Sequence, residues 1–176
     1  PLSENGITLA QLAGLALIEA QFDHIYASDL ERAFETASII VTHNIFASKA
    51  SFEKIGNIIQ GNKLLRERSF GILDQKEYQE YNAAAEREGL YDEDSQRSYR
   101  PEGGENELDV KKRAIEFIKY LSNSIANNTY KDQSAENKKQ SILVISHGGL
   151  IKMMTNYLFQ DCKCDLSYMD ADGQKN

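Results

Sequence analysis

The chain has 176 residues, 41% of them hydrophobic and 27% charged, enough for one domain with a core of its own. Its net charge of −7 argues against nucleic acid or an anionic membrane surface as a partner, while a local basic pocket for a small anion stays compatible with it. No apolar run approaches the roughly 18 residues that span a bilayer, so no membrane partner is expected. No stretch reads as a signal peptide. Cys162 and Cys164 have no His or Cys partners at zinc spacing and read as free thiols of a reducing, cytoplasmic compartment.

In chain order, 1–6 leads into a helix predicted over 7–20, with Ser3 as its cap and Glu4 at the positive end of its dipole. Gly14 within it points to close packing against a neighbour. Residues 22–27 read as a strand ending at Ser28 and Asp29. Ser28 and Glu31 then form a capping box for a helix over 29–43. Its apolar stripe is Leu30, Ala33, Phe34, Ala37, Ile40 and Val41. Arg32 lies off that stripe in the first turn, where a cation opposes the dipole and a bound anion would reverse the cost. The alternative is an exposed arginine balanced by Glu31 and Glu35.

Residues 44–62 are polar and irregular, and their apolar patch at 55–59 has no clear assignment. Lys63-Leu64-Leu65 reads as a short strand leading into Arg66-Glu67-Arg68. The flanking arginines keep Glu67 ionised unless the site is dry, and a solvated charge cluster is the plain alternative. A helix is expected over 75–88, then a polar surface loop or lid over 91–102. Gly103-Gly104-Glu105 opens a helix capped by Asn106 with Asp109 three residues on. Its apolar positions are Val110, Ala114, Phe117, Ile118, Leu121 and Ile125. The stretch 127–141 is a polar loop with little to bury, expected to be mobile.

Ile142-Leu143-Val144-Ile145 reads as a strand buried on both faces of a parallel sheet. Ser146-His147-Gly148-Gly149 follows, and a helix begins at Leu150 and runs to about Phe159. His147 thus stands where a strand ends and a helix starts, the place where open α/β sheets bind ligands and helix N–H groups meet anions. A turn-capping histidine is the alternative. There are no repeats and no second domain, and helices outnumber the three strands where a parallel sheet usually has about five. Pieces are therefore expected to be missing at both ends of a single domain.

The blocks Pro1–Gly6, Tyr26–Ala37, Leu65–Gly71, Gly103-Gly104-Glu105 and Ser146–Gly149 resemble, in order and spacing, those of the histidine phosphatase superfamily. Residues 65–71, 110–113 and 157–166 are similar to its fructose-2,6-bisphosphatase-type branch. The resemblance implies a three-layer, phosphoglycerate mutase-like α/β fold with a mainly parallel sheet, here lacking the first strand and the last. It also implies transfer of a phosphoryl group to a histidine, followed by hydrolysis. The family's nucleophile lies in an Arg-His-Gly motif at the end of the first strand. This chain contains no such motif, and His24 and His43 lie in the wrong context to replace it.

By the resemblance the nucleophile lies upstream of Pro1, on a central strand against which the strands ending at Ala27 and Ser146 pair. The chain alone is then inactive. Arg32 would hold two phosphoryl oxygens, His147 would donate to a third, and the Gly148 N–H would assist. Glu67 would protonate the leaving alkoxide and then deprotonate water. No metal and no cofactor is implied. The expected activity is a phosphatase acting on phosphorylated small molecules of the sugar bisphosphate or bisphosphoglycerate kind. A phosphoglycerate mutase and a non-catalytic regulator are the alternatives. The acidic run 91–94, with basic residues between 71 and 103 only at Arg87, Arg97 and Arg100, favours the phosphatase.

Overall fold

Three short strands pair in parallel in the order β2-β1-β3 and set the frame for the site. They are β1 (His24–Ser28), β2 (Ile59–Asn62) and β3 (Ile142–Ile145). The computed structural model describes residues 1–44, 58–129 and 140–162. The described helices are α1 (Glu4–Ala16), α2 (Glu31–His43), α3 (Tyr78–Arg87), α4 (Glu93–Gln96), α5 (Glu107–Thr129) and α6 (Gly148–Asn156). The architecture is mixed α/β with a parallel sheet. The chain forms two compact units, Pro1–Glu67 with Lys119–His147, and Arg68–Ile118 with the residues from Gly148 onward.

In the first unit β1 is central. Ile25, Tyr26, Ala27 and Ser28 are all buried, without the alternation of a half-exposed strand, because both of its faces are covered. Both of its edges are also taken, with Ile25 opposite Ile59 on one side and Leu143 on the other. The strands ending at Ala27 and Ser146 therefore pair directly. Among the described residues the open sheet edges are the outer edges of β2 and β3. β3 is only partly buried, not covered on both faces as its apolar run had implied, because it is an outer strand here.

The strand expected at 63–65 falls earlier. Lys63–Leu65 is a tight 3₁₀ turn, and the Asn62 side chain caps it by accepting the Leu64 N–H at 2.9 Å. Leu65 is apolar because it is fully buried, not because it is extended. Ser3 caps α1 as read, accepting the Gly6 N–H at 3.1 Å. α1 ends at Ala16, earlier than expected. Buried Asn44 ties down the chain beyond it by donating to the Leu17 and Ala20 carbonyls at 2.8 and 2.7 Å. A Cβ on Gly14 would lie 2.9 Å from His43 Cβ and 3.3 Å from Ile40 Cα, so α1 meets α2 nearly backbone to backbone. On α2, Ala33, Ala37, Ile40 and Val41 are buried, and Phe34 packs on the cluster of Ile25, Ala27, Ala37, Val41 and Ile59.

In the second unit, Asn106 and Asp109 cap α5 reciprocally, each side chain accepting the other's N–H at 3.0 Å. Val110, Ala114 and Phe117 form its buried stripe. The stretch read as a free surface loop or lid carries α4, and Asp92 caps it through the Ser95 N–H at 2.9 Å. Tyr81 of α3 donates to the carbonyl of buried Gln96 at 2.7 Å, which pins this stretch onto α3. α6 starts at Gly148, two residues earlier than expected, and buries Leu150 and Met153. Of the polar stretch 127–141, α5 takes the part up to Thr129, and 130–139 lie outside the described residues.

Candidate active site

The pairing of Ala27 with Ile145 brings the carboxyl ends of β1 and β3 side by side, so Ser28 and His147 leave the sheet at the same edge. The turn after β1 then starts α2, whose first turn carries Arg32. The result is a short polar chain. Arg32 Nη2 lies 3.2 Å from His147 Nδ1. His147 Nε2 lies 3.0 Å from Ser28 Oγ, which also accepts the Leu30 N–H at 3.3 Å. Ser28 is fully buried and His147 is 8% exposed, so both are held in place by packing. The capping box expected between Ser28 and Glu31 does not form, because Ser28 lies in the strand and the cap position is Leu30.

The alternative for Arg32, balance by Glu31 and Glu35, is not what the geometry shows. Arg32 turns to His147, and Glu35 accepts the Leu2 N–H at 2.8 Å. No carboxylate among the described residues lies within ion-pair reach of Arg32.

Around this pair, Ser146 Oγ donates to the Leu65 carbonyl at 2.8 Å, tying the end of β3 to the turn after β2. Arg66 then forks Asp29 through Nε at 2.6 Å and Nη2 at 2.7 Å. The hydrogen bond from Arg66 holds the Asp29 carboxyl below the usual carboxylate range. Glu67 follows Arg66 and is half-buried. The arginines expected to flank it have partners of their own: Arg66 takes Asp29, and Arg68 donates to the Glu105 and Tyr99 carbonyls and to Tyr81 Oη, each at 2.8 Å. The Arg68 guanidinium also lies 4.9 Å from the centre of the Phe70 ring. Gly148 opens α6, is exposed, and has open space where a side chain would be.

The structure therefore brings Arg32 and His147 together and sets Glu67 just beyond the tie between Ser146 and Leu65. Sequence reading missed Ser28 and the Asp29–Arg66 fork. A serine at the carboxyl end of a buried strand was the available signal for the first, and it had been read as a cap. Among the described residues, no three His, Cys, Asp or Glu side chains converge to hold a metal ion, and no helix is long and apolar enough to cross a membrane. Cys162 is exposed with a free thiol.

The model of the histidine phosphatase superfamily (branch 1) matches residues 1–170. The chain is 29% identical over 184 residues to fructose-2,6-bisphosphatase TIGAR B of Danio rerio, covering 94% of this chain and 67% of the relative. It is 25% identical to fructose-2,6-bisphosphatase TIGAR of Bos taurus over 93% and 69% of the two chains. Among solved structures, mycobacterial glucosyl-3-phosphoglycerate phosphatase superposes with a TM-score of 0.63 at 26% identity, over 89% of this chain and 66% of its own. A phosphoglycerate mutase from Bacillus anthracis, at 24% identity and a TM-score of 0.68 over 97% and 74%, shares the fold. This chain belongs to the histidine phosphatase superfamily, branch 1, and with the two fructose-2,6-bisphosphatases among these relatives stands among phosphatase enzymes. It spans about two thirds of the length of the relatives named first.

Proposed function

We propose that the edge formed by Arg32 and His147 binds the phosphoryl group of a small sugar phosphate, and that the protein is a phosphoric monoester hydrolase working through a phosphohistidine. The observation that carries this reading is the 3.2 Å approach of Arg32 to His147, with no carboxylate among the described residues to neutralise the arginine. An arginine fork beside an imidazole meets the spread negative charge of a phosphoryl group, where catalysis is mostly positioning and charge stabilisation. The names of the relatives favour a sugar bisphosphate of the fructose-2,6-bisphosphate type as substrate.

In this mechanism a histidine attacks phosphorus, which splits one hard displacement into two easier ones. Arg32 holds two phosphoryl oxygens, and His147 takes a third, assisted by the Gly148 N–H. Glu67 hands a proton to the leaving alkoxide and takes one from the attacking water. The nucleophile is neither of the chain's other histidines. His24 starts β1, at the end of the strand away from Ser28, and His43 Nδ1 is held by the Ile39 carbonyl at 2.8 Å.

The test is turnover of fructose-2,6-bisphosphate by the full-length protein and by its Arg32→Ala and His147→Ala variants. Each variant is expected to lose roughly two to four powers of ten in kcat/KM, the scale of a positioned charge or proton-transfer group. Residues 1–176 alone are expected to form no acid-labile phosphohistidine. Parent-like turnover by His147→Ala would return His147 to a turn-capping role.

A further inference from the structure

We propose that Ser28 is a positioning residue for this site: its hydroxyl holds His147 as the Nε2–H tautomer and so reserves Nδ1 for the phosphoryl group. The proposal rests on the phosphatase reading above and deepens it. An arginine guanidinium has donors only, so Arg32 Nη2 donates to His147 Nδ1, which must present a lone pair. An imidazole with a bare Nδ1 carries its proton on Nε2, and that N–H has an acceptor 3.0 Å away in Ser28 Oγ. Ser28 Oγ also accepts the Leu30 N–H. Both contacts make the hydroxyl an acceptor on this side.

Its position is set by the sheet rather than by a loop, since Ser28 pairs with Asn62 in the register of β1 with β2. It is fully buried, so no water competes for the contact. The charged groups placed along this edge include Arg32 on α2, the mutually paired Asp29 and Arg66, Lys63 in the turn after β2, and Glu67 next in the chain. When a phosphoryl anion arrives, the donors of Arg32 turn to its oxygens and leave Nδ1. That lone pair takes one proton, from the monoprotonated phosphate or from water, and the ring then donates from Nδ1 while Nε2–H stays on Ser28. A group that fixes a ring this way acts as outer partners of ligating histidines do, where removal costs roughly ten- to a hundredfold.

The experiment is ¹⁵N spectroscopy of the histidine rings in the full-length protein, with and without inorganic phosphate, beside steady-state kinetics. His147 is expected to show a protonated Nε2 and a bare Nδ1 without phosphate, and two protonated nitrogens with it. Ser28→Ala should mix the tautomers and lower kcat roughly ten- to a hundredfold at little cost in KM, and Ser28→Thr, which keeps the hydroxyl, should restore the parent pattern. A bare Nε2 in the parent protein, or a Ser28→Ala variant with the parent's tautomer and kcat, overturns the proposal. Failure of the phosphatase reading looks different: His147→Ala would then retain turnover, whatever tautomer the parent ring displays.

Discussion

Arg32 and His147 meet at 3.2 Å although 115 positions separate them in the chain. One rides on the first turn of α2 and the other on the turn after β3, and the parallel pairing of β1 with β3 brings the two turns to one edge. The contact places a permanent cation against an imidazole ring. Arg32 would otherwise oppose the dipole of α2, so an anion at this edge relieves two unfavourable arrangements at once.

That arrangement depends on the shape of the guanidinium as well as on its charge. Arg32→Lys keeps the cation but replaces a planar fork by a single point donor. In the full-length protein it is expected to lower kcat/KM roughly a hundredfold, near the cost of losing one oriented donor. Thermal stability should hardly change, because the side chain is exposed. Parent-like kinetics for the lysine variant would mean that charge alone matters.

Glu67 has a different signature. As the proton donor to a leaving alkoxide it matters most when that alkoxide is a poor leaving group. Glu67→Gln should therefore slow hydrolysis of a sugar phosphate by roughly two or more powers of ten. It should leave p-nitrophenyl phosphate nearly untouched, since p-nitrophenolate needs no proton to depart. Equal losses on the two substrates would make Glu67 a structural charge.

The second unit carries its own acid sensitivity. Arg113 forks Glu105 at 2.7 and 2.8 Å, and the Ser69 N–H adds a third bond at 3.0 Å. Burial pushes the Glu105 carboxyl up, but the bonds from Arg113 and Ser69 outweigh it and hold the group below the usual range. A carboxyl depressed in the folded state stabilises the fold above its unfolded value of about 4.3, and that contribution fades as the pH falls through the folded value. Glu105→Gln should thus cost about 1–3 kcal/mol near neutral pH. The gap between parent and variant should narrow in melts recorded as the pH falls below the ordinary carboxylate range.

Much of the frame was legible because local chemistry and tertiary structure agree there. The strand at 142–145, the stripe of α2 and the Asn106–Asp109 cap all form where their side chains place them, although β3 is only partly buried. Departures come where pairing overrides propensity. Polar Ile59–Asn62 becomes a strand because β1 offers it a partner, while apolar Leu65 turns inward instead of extending. Arg32 and His147 could be singled out from strand-end and helix-start positions. Their contact could not, because it depends on which strands lie side by side. Ser28 was read through the nearest local motif, and a long-range partner took it instead.

Two glycines with positive φ separate backbone freedom from backbone space. Gly71 has φ +55°, and a Cβ there would lie 2.0 Å from the Glu102 carbonyl oxygen and 2.5 Å from the Gly104 nitrogen. Segments 69–71 and 102–105 touch main chain to main chain, joined by Ile72 N–H to Glu102 at 3.0 Å and Glu105 N–H to Ser69 at 2.9 Å. Gly89 has φ +82°, but a Cβ there would meet nothing within 4 Å. Alanine at 89 should cost only the left-handed backbone strain, about 1–2 kcal/mol. Alanine at 71 adds a clash with backbone that has no rotamer to escape into, on the scale of overpacking at about 1–3 kcal/mol or more. It should also loosen Glu105 from Ser69. Chemical denaturation of the two variants should therefore rank Gly71→Ala clearly below Gly89→Ala, and equal midpoints would show that the 69–71 turn can move aside.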